Sequence, residues 1–156
     1  MPSSPSPRVR INPETFAITA VTHQRHRIFQ RTTNADLMLN TLFRYRDQSR
    51  YQLHGFVVMP DHIHALLTPA SDQTIERCVQ LIKGGFSFAI RKDFQGEVWQ
   101  DGYHAHRITV INDYQNQLQY IANNPTRKNY TNHLYVHTRH TERLDPEPLH
   151  LIEQPL

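Results

Sequence analysis

The periodicities along this 156-residue chain predict an α+β fold, an antiparallel sheet with helices packed on one face. Three observations lead there. Short stretches rich in β-branched and aromatic residues interleave with longer stretches of helical spacing. A Pro-Asp turn joins two of the strands tightly enough to make them antiparallel neighbours. The hydrophobic fraction of 38%, with seven Phe, seven Tyr and one Trp, suffices for a packed core, and the length suits one domain.

Met1 to Pro13 is rich in Pro and Ser and reads as a flexible leader. Thr15 to Thr22 (TFAITAVT) reads as the first strand. His23 to Thr33 is polar and basic, which predicts a loop. Asn34 is placed to cap a first helix, whose Leu37, Leu39, Leu42, Phe43 and Tyr45 keep mainly helical spacing until about Arg50. Tyr51 to Met59 forms a second strand with a buried VVM end, and after Pro60-Asp61 the chain returns as a third strand, His62 to Thr68.

Asp72 or Thr74 caps a second helix through Ile75, Val79, Ile82, Phe86, Phe88 and Ile90, which the Gly84-Gly85 pair should weaken or kink. Val98 to Val110 is expected to supply a fourth strand. Asp113 would cap a third helix carrying Tyr114, Leu118 and Ile121 and ending near Pro125. The order strand, helix, strand, strand, helix, strand, helix is that of a ferredoxin-like (RRM-like) sandwich. The chain divides into a leader (1–13), one domain (14–130) and a C-terminal tail (131–156), where Pro146 and Pro148 favour an irregular path.

The net charge of +3 is unevenly spread. Thr141 to Leu156 carries Glu142, Asp145, Glu147 and Glu153 against Arg143 alone, a balance of −3 that leaves the preceding body at +6. Such a body suits a polyanionic partner. Cys78 is the only cysteine, which excludes an intrachain disulfide and a cysteine-rich zinc site. The amino terminus lacks the apolar stretch of a signal peptide, and no apolar run approaches the roughly 18 residues that span a membrane. A soluble, cytoplasmic protein with no membrane partner is expected.

His62-Ile63-His64 follows the Pro60-Asp61 turn directly. Side chains alternate across a strand, so both imidazoles share one face while Ile63 enters the core. Two imidazoles so placed can hold one metal ion. With eleven His in the chain, chance pairs also occur. His104 and His106 repeat the spacing and are placed either on the surface or along the same cleft; His23/His26 and His137/His140 have spacings that suit ligands on a helix or turn, and most of these extra histidines read as surface residues.

In Tyr120-Ile121-Ala122-Asn123-Asn124-Pro125, Tyr120 and Asn124 lie one helical turn apart on one face. A phenol is a weak nucleophile near neutral pH unless its target is activated, which a metal ion beside a phosphate does by withdrawing charge. An amide oxygen suits the harder cations. Tyr114 is a rival nucleophile, but its offset of six residues turns it from the Tyr120 face and no polar acceptor follows it at one turn.

Together these motifs resemble a known family. GFVVMPDHIHALLTP (Gly55 to Pro69) resembles the histidine-hydrophobic-histidine (HUH) motif of single-tyrosine transposases and, more closely, of REP-associated tyrosine transposases. YIANNP (Tyr120 to Pro125) is similar to that family's tyrosine helix, and VWQDGYHAHRI (Val98 to Ile108) to its Trp-Gln stretch. The likeness runs in order over about Thr15 to Arg127.

The resemblance implies that His62, His64 and Asn124 bind a divalent ion, magnesium or manganese. Tyr120 then attacks DNA, keeps a 5′-phosphotyrosine link and releases a 3′-hydroxyl, which another 3′-hydroxyl can reverse. The implied substrate is single-stranded DNA beside a hairpin, handled by a monomer or homodimer. One departure stands out: after Asn-Pro the chain reads Thr126-Arg127-Lys128-Asn129-Tyr130, without the family's usual small residue and Gly.

For DNA contacts the sequence offers Arg25, Arg27 and Arg31 in the first loop and Arg44 on the first helix. Lys83, Arg91 and Lys92 follow on the second helix, with Tyr103 as a base-stacking ring. Two other classes fit the element order: an inactive or domesticated DNA- or RNA-binding protein of this fold, and a metal-dependent hydrolase built on His62, His64, His104 and His106.

Overall fold

The computed structural model describes residues 12–130 and 132–153; the bulk of the expected leader lies outside them. The elements are β1 (Thr15–Val21), α1 (Thr32–Asp47), β2 (Tyr51–Met59), β3 (His62–Pro69), α2 (Ile75–Ala89), β4 (His104–Ile108) and α3 (Ile111–Arg127). The sheet order is β2-β3-β1-β4 with every pairing antiparallel, the ferredoxin-like arrangement that the element order predicts. The α+β antiparallel class therefore stands.

One part of that expectation needs correcting: the helices do not all share one face. Ile18, Ala20, Phe56, Val58, Ile63, Ala65 and Leu67 point from the sheet into a core shared with Met38 and Leu42 of α1 and Val79, Ile82 and Phe86 of α2. The alternate residues Val57, Met59, Leu66 and Ile108 point the other way and pack with Tyr114 and Ile121 of α3. β2 is thus apolar on both faces, which is why its VVM end does not alternate. The helix that carries Tyr120 lies on the face opposite α1 and α2.

Two glycines permit close approaches. A Cβ on Gly85 would stand 2.7 Å from the Tyr45 hydroxyl, so the residue allows α1 and α2 to touch, and α2 runs through the Gly pair without a break. A Cβ on Gly55 would meet Leu118 Cδ1 at 2.5 Å, so Gly55 seats α3 against β2, next to a register shift between Leu53 and Gly55.

Several boundaries differ from those expected. α1 begins at Thr32, because Asn34 uses its amide to donate to the Ile28 carbonyl instead of capping. Thr74, not Asp72, caps α2 by accepting from the Arg77 amide. β4 is only five residues long, since Gly102 turns the chain at φ +77° and Trp99 makes an isolated bridge to Thr22. α3 starts after Val110, putting Asp113 in its first turn, and it continues through Pro125 to Arg127. The expected loop holds two short 3-10 turns, His23–Arg25 and Ile28–Gln30.

Residues after α3 close back on the domain. Val136 bridges Val57 at the free edge of β2, Asp145 accepts from the Leu53 amide at 2.8 Å and pairs with Arg46, and Ile152 bridges Val110.

Candidate active site

β3 delivers His62 and His64 to the face covered by α3, and Ile63 between them is fully buried on the other side. The imidazole rings sit 4.8 Å apart, centroid to centroid, with planes at 79°. His62 Nδ1 lies 2.7 Å from Asp61 Oδ1, whose other oxygen accepts from Arg25. Burial opposes ionisation of Asp61, but the His62 hydrogen bond and charge, with those of Arg25, outweigh it and hold the carboxyl below its usual range. An ionised carboxylate only accepts, so His62 Nδ1 is the donor in this pair and Nε2 is the ring nitrogen left to face a ligand.

His64 is paired across the sheet with Thr19, and its Nδ1 is 2.8 Å from the Thr19 hydroxyl. Burial, then the nearby charges of His62 and Arg127, push the His64 pKa down to about 4. The ring is therefore neutral at pH 7, the state in which an imidazole can ligate. Both strand histidines thus have one ring nitrogen held by a neighbour and the other free for a ligand.

α3 brings Tyr120 to this pair. The Tyr120 ring stands 6.0 Å from the His64 ring at 80°, and the Arg127 guanidinium covers its other side at 3.9 Å. Arg127 also donates to the Tyr120 carbonyl, so the helix end fixes its position. Tyr120 is half exposed, and its hydroxyl makes no hydrogen bond to another described residue. Tyr114, the rival, is buried edge-on against His54, and desolvation, with the Glu147 charge second, raises its pKa to about 12. A phenol so placed has neither access nor a route to the phenolate.

Asn124 follows one turn after Tyr120 and is 2% exposed. Its Oδ1 is the one side-chain oxygen or nitrogen that is buried without a hydrogen-bond partner among the described residues. An orphaned amide oxygen costs about 1–3 kcal/mol. A cation is one partner that such an oxygen can take, and two imidazole nitrogens with this oxygen fit the donor set of a divalent ion.

His104 and His106 lie on the same sheet face, since Thr19 pairs with His104 and Ala17 with His106. They line a cleft of about 360 Å³ together with His64, Gln117 and Tyr120. His106 Nε2 is 2.7 Å from Asp113 Oδ2. Among the described residues no three His, Cys, Asp or Glu side chains converge on a common point, so the four-histidine centre of a hydrolase is not formed. On the same sheet face α3 packs over β2 and β3, while β1 and β4 line the open cleft.

The proposed DNA contacts are scattered. Arg25, Arg27 and Arg31 are exposed in the loop that packs on Pro60 and Asp61, beside the histidines. Arg27 also donates to Tyr130. Arg44 lies on α1, whereas Arg91 and Lys92 lie beyond α2, which ends at Ala89, and not on it as expected; Arg91 stacks back on Phe88 at 3.6 Å. Lys83 is tied down by the Gln100 and Gly102 carbonyls. Burial lowers its pKa against a smaller opposing pull from Asp101. Tyr103 is exposed at the near end of β4.

Four further residues adjoin the histidines and Tyr120 without having been singled out from the sequence. Asp61, next to His62, and Arg127, two turns after Tyr120, could have been found from spacing. Thr19 and Gln117 could not, because only the strand pairing and the docking of α3 bring them in. Of the other histidines, His137 is buried and accepts from the Phe56 amide, and His140 faces the Leu134 carbonyl.

Residues 15–124 match the sequence profile of the family described as "Transposase IS200 like". The REP-associated tyrosine transposase of Escherichia coli (strain K12) is 25% identical over 97 residues, 62% of this chain but 57% of that protein's length. In fold, the chain resembles a REP-associated tyrosine transposase solved bound to a REP hairpin, with a TM-score of 0.72, 20% identity and 99% of each chain covered. It also resembles a candidate transposase of Deinococcus radiodurans R1, with a TM-score of 0.55, 23% identity, and 79% of this chain and 97% of that one covered. With the family profile spanning both histidines, the tyrosine and the asparagine, this chain belongs to the IS200-like transposase family.

Proposed function

We propose that this protein is a metal-dependent transposase that cleaves and rejoins single-stranded DNA next to a hairpin through a 5′-phosphotyrosine intermediate. The observation that carries the reading is the meeting of three features on one face. A half-exposed Tyr120 with a free hydroxyl packs on His64, His62 lies beside it, and the orphaned Asn124 oxygen sits one turn further along the same helix.

His62, His64 and Asn124 would hold magnesium or manganese, and the ion supplies withdrawal of charge from the phosphoryl oxygens. Asp61 and Thr19 hold the two imidazoles so that their Nε2 atoms are available. Arg127 fixes the phenol ring and adds positive charge beside a phosphate. Tyr120 Oη forms the bond to phosphorus, the bond to the 3′-oxygen breaks, and a 3′-hydroxyl leaves. Arg25, Arg27 and Arg31 would track phosphates from the loop that packs on Asp61, and residues 14–130 form the catalytic domain, with residues 132–153 of the 131–156 tail packed back on it.

The test is incubation with labelled hairpin DNA carrying single-stranded flanks, with magnesium or manganese, followed by denaturing electrophoresis. A slow-migrating covalent adduct that disappears with chelator supports the reading. Tight binding without any adduct across varied hairpins would identify an inactive DNA-binding descendant instead.

A further inference from the structure

The cleft beside Tyr120 holds more polar chemistry than phosphotyrosine formation uses. Its floor is Ala17 and Thr19 of β1, two small residues that leave room above the sheet. One wall is His104 and His106 of β4, and the other is Gln117 and Tyr120 of α3. At about 360 Å³ the space suits one nucleotide unit, not a small ion or a whole duplex end.

The cleft opens at Tyr120 and His64 and runs away from them along β4 and α3. His106 is two strands and one pleat repeat from His64, which places it roughly 12 Å away by strand spacing. Along α3, Asp113 precedes Tyr120 by seven residues, or about 10 Å. The His106–Asp113 pair therefore stands towards the end of the cleft away from the His62–His64 pair.

The side chains are set for reading a base edge. Asp113 holds the His106 ring through a 2.7 Å contact at Nε2. The half-buried Gln117 amide, with one donor group and one acceptor, and the His104 ring have no hydrogen bond to another described residue. An adjoining cleft of about 370 Å³ shares Thr19 and His104 and continues to the Tyr103 ring, so the groove runs on along β4.

We propose that this cleft binds one unpaired nucleobase flanking the cleaved phosphate, with Gln117 and His106 as the residues that discriminate among bases. Asp113 is the positioning residue that holds His106. The proposal rests on the single-stranded DNA reading above and adds that the protein, through a pocket of its own, selects a base at one flanking position.

The experiment is a selection on a hairpin with randomised single-stranded flanks, in magnesium, with wild type, Gln117→Ala, His106→Ala and Asp113→Asn. Bound and covalently attached strands are sequenced separately. Wild type should enrich one base several-fold at one position. Gln117→Ala and His106→Ala should flatten that position while leaving the rest of the profile, and Asp113→Asn should weaken it partly. Enrichment that depends on Gln117 without any adduct keeps the pocket and removes the proposed chemistry. A wild-type profile flat at every position, or one unchanged in Gln117→Ala and His106→Ala, overturns the pocket whether or not adducts form.

Discussion

Tyr120 and His64, on different elements and 56 positions apart in sequence, hold their rings 6.0 Å apart and nearly perpendicular. The edge-on contact fixes the ring while the hydroxyl, bound to no other described residue, stays free. Tyr120→Phe should therefore leave stability within about 0.5 kcal/mol, as for an exposed substitution away from structural features. DNA affinity should stay within about twofold, since binding rests mainly on phosphate contacts. Adduct formation should fall to background. An adduct retained in the variant would move the nucleophile elsewhere.

Asn124 tests the metal site without any assay of activity. Asn124→Leu removes an orphaned buried oxygen, so without metal the variant should unfold at equal or higher temperature, a gain of up to about 2 kcal/mol. Added manganese should raise the melting temperature of wild type by mass action and leave that of the variant unchanged. Equal metal-induced shifts in both proteins would remove Asn124 from the ligand set.

Asp61 orients His62 through the 2.7 Å contact at Nδ1. An amide in its place can offer its nitrogen as donor and favour the other tautomer of the ring. Asp61→Asn should weaken divalent-ion affinity about 10- to 100-fold, read by calorimetric titration, with the melting temperature without metal little changed.

Buried histidines give the fold a pH dependence of definite sign. Burial lowers the pKa of His54, with the Asp145 carbonyl and charge offsetting it in part, and burial likewise lowers that of His137. Both fold as neutral rings, so their contribution is complete above the unfolded value near 6.5 and is lost as pH falls through the folded values. Thermal melts should drop by several degrees between about pH 7.5 and pH 5. A melting temperature that rises over that interval would contradict the burial of these rings.

The class of the fold, the strand pair flanking Pro60-Asp61, the shared face of His62 and His64 and the one-turn spacing of Tyr120 and Asn124 were all legible in the sequence. Each depends on a local period or a local turn, and local geometry repeats wherever the residues repeat. The β4 boundaries were not legible, because a positive-φ glycine and an isolated bridge, not β propensity, ended the strand. Nor was the seat of α3 on the second sheet face. An amphipathic helix states that it must bury one side and not against which partner, and here the continuous apolar character of β2 and the open space at Gly55 decided it. That docking alone sets Tyr120 on His64, buries the Asn124 Oδ1 without a partner and builds the cleft of Gln117 and His106. The sequence by itself determined which candidate groups are on offer; only the packing of α3 across the sheet decided that they meet, since their contacts span strands and helices whose separation along the chain no periodicity encodes.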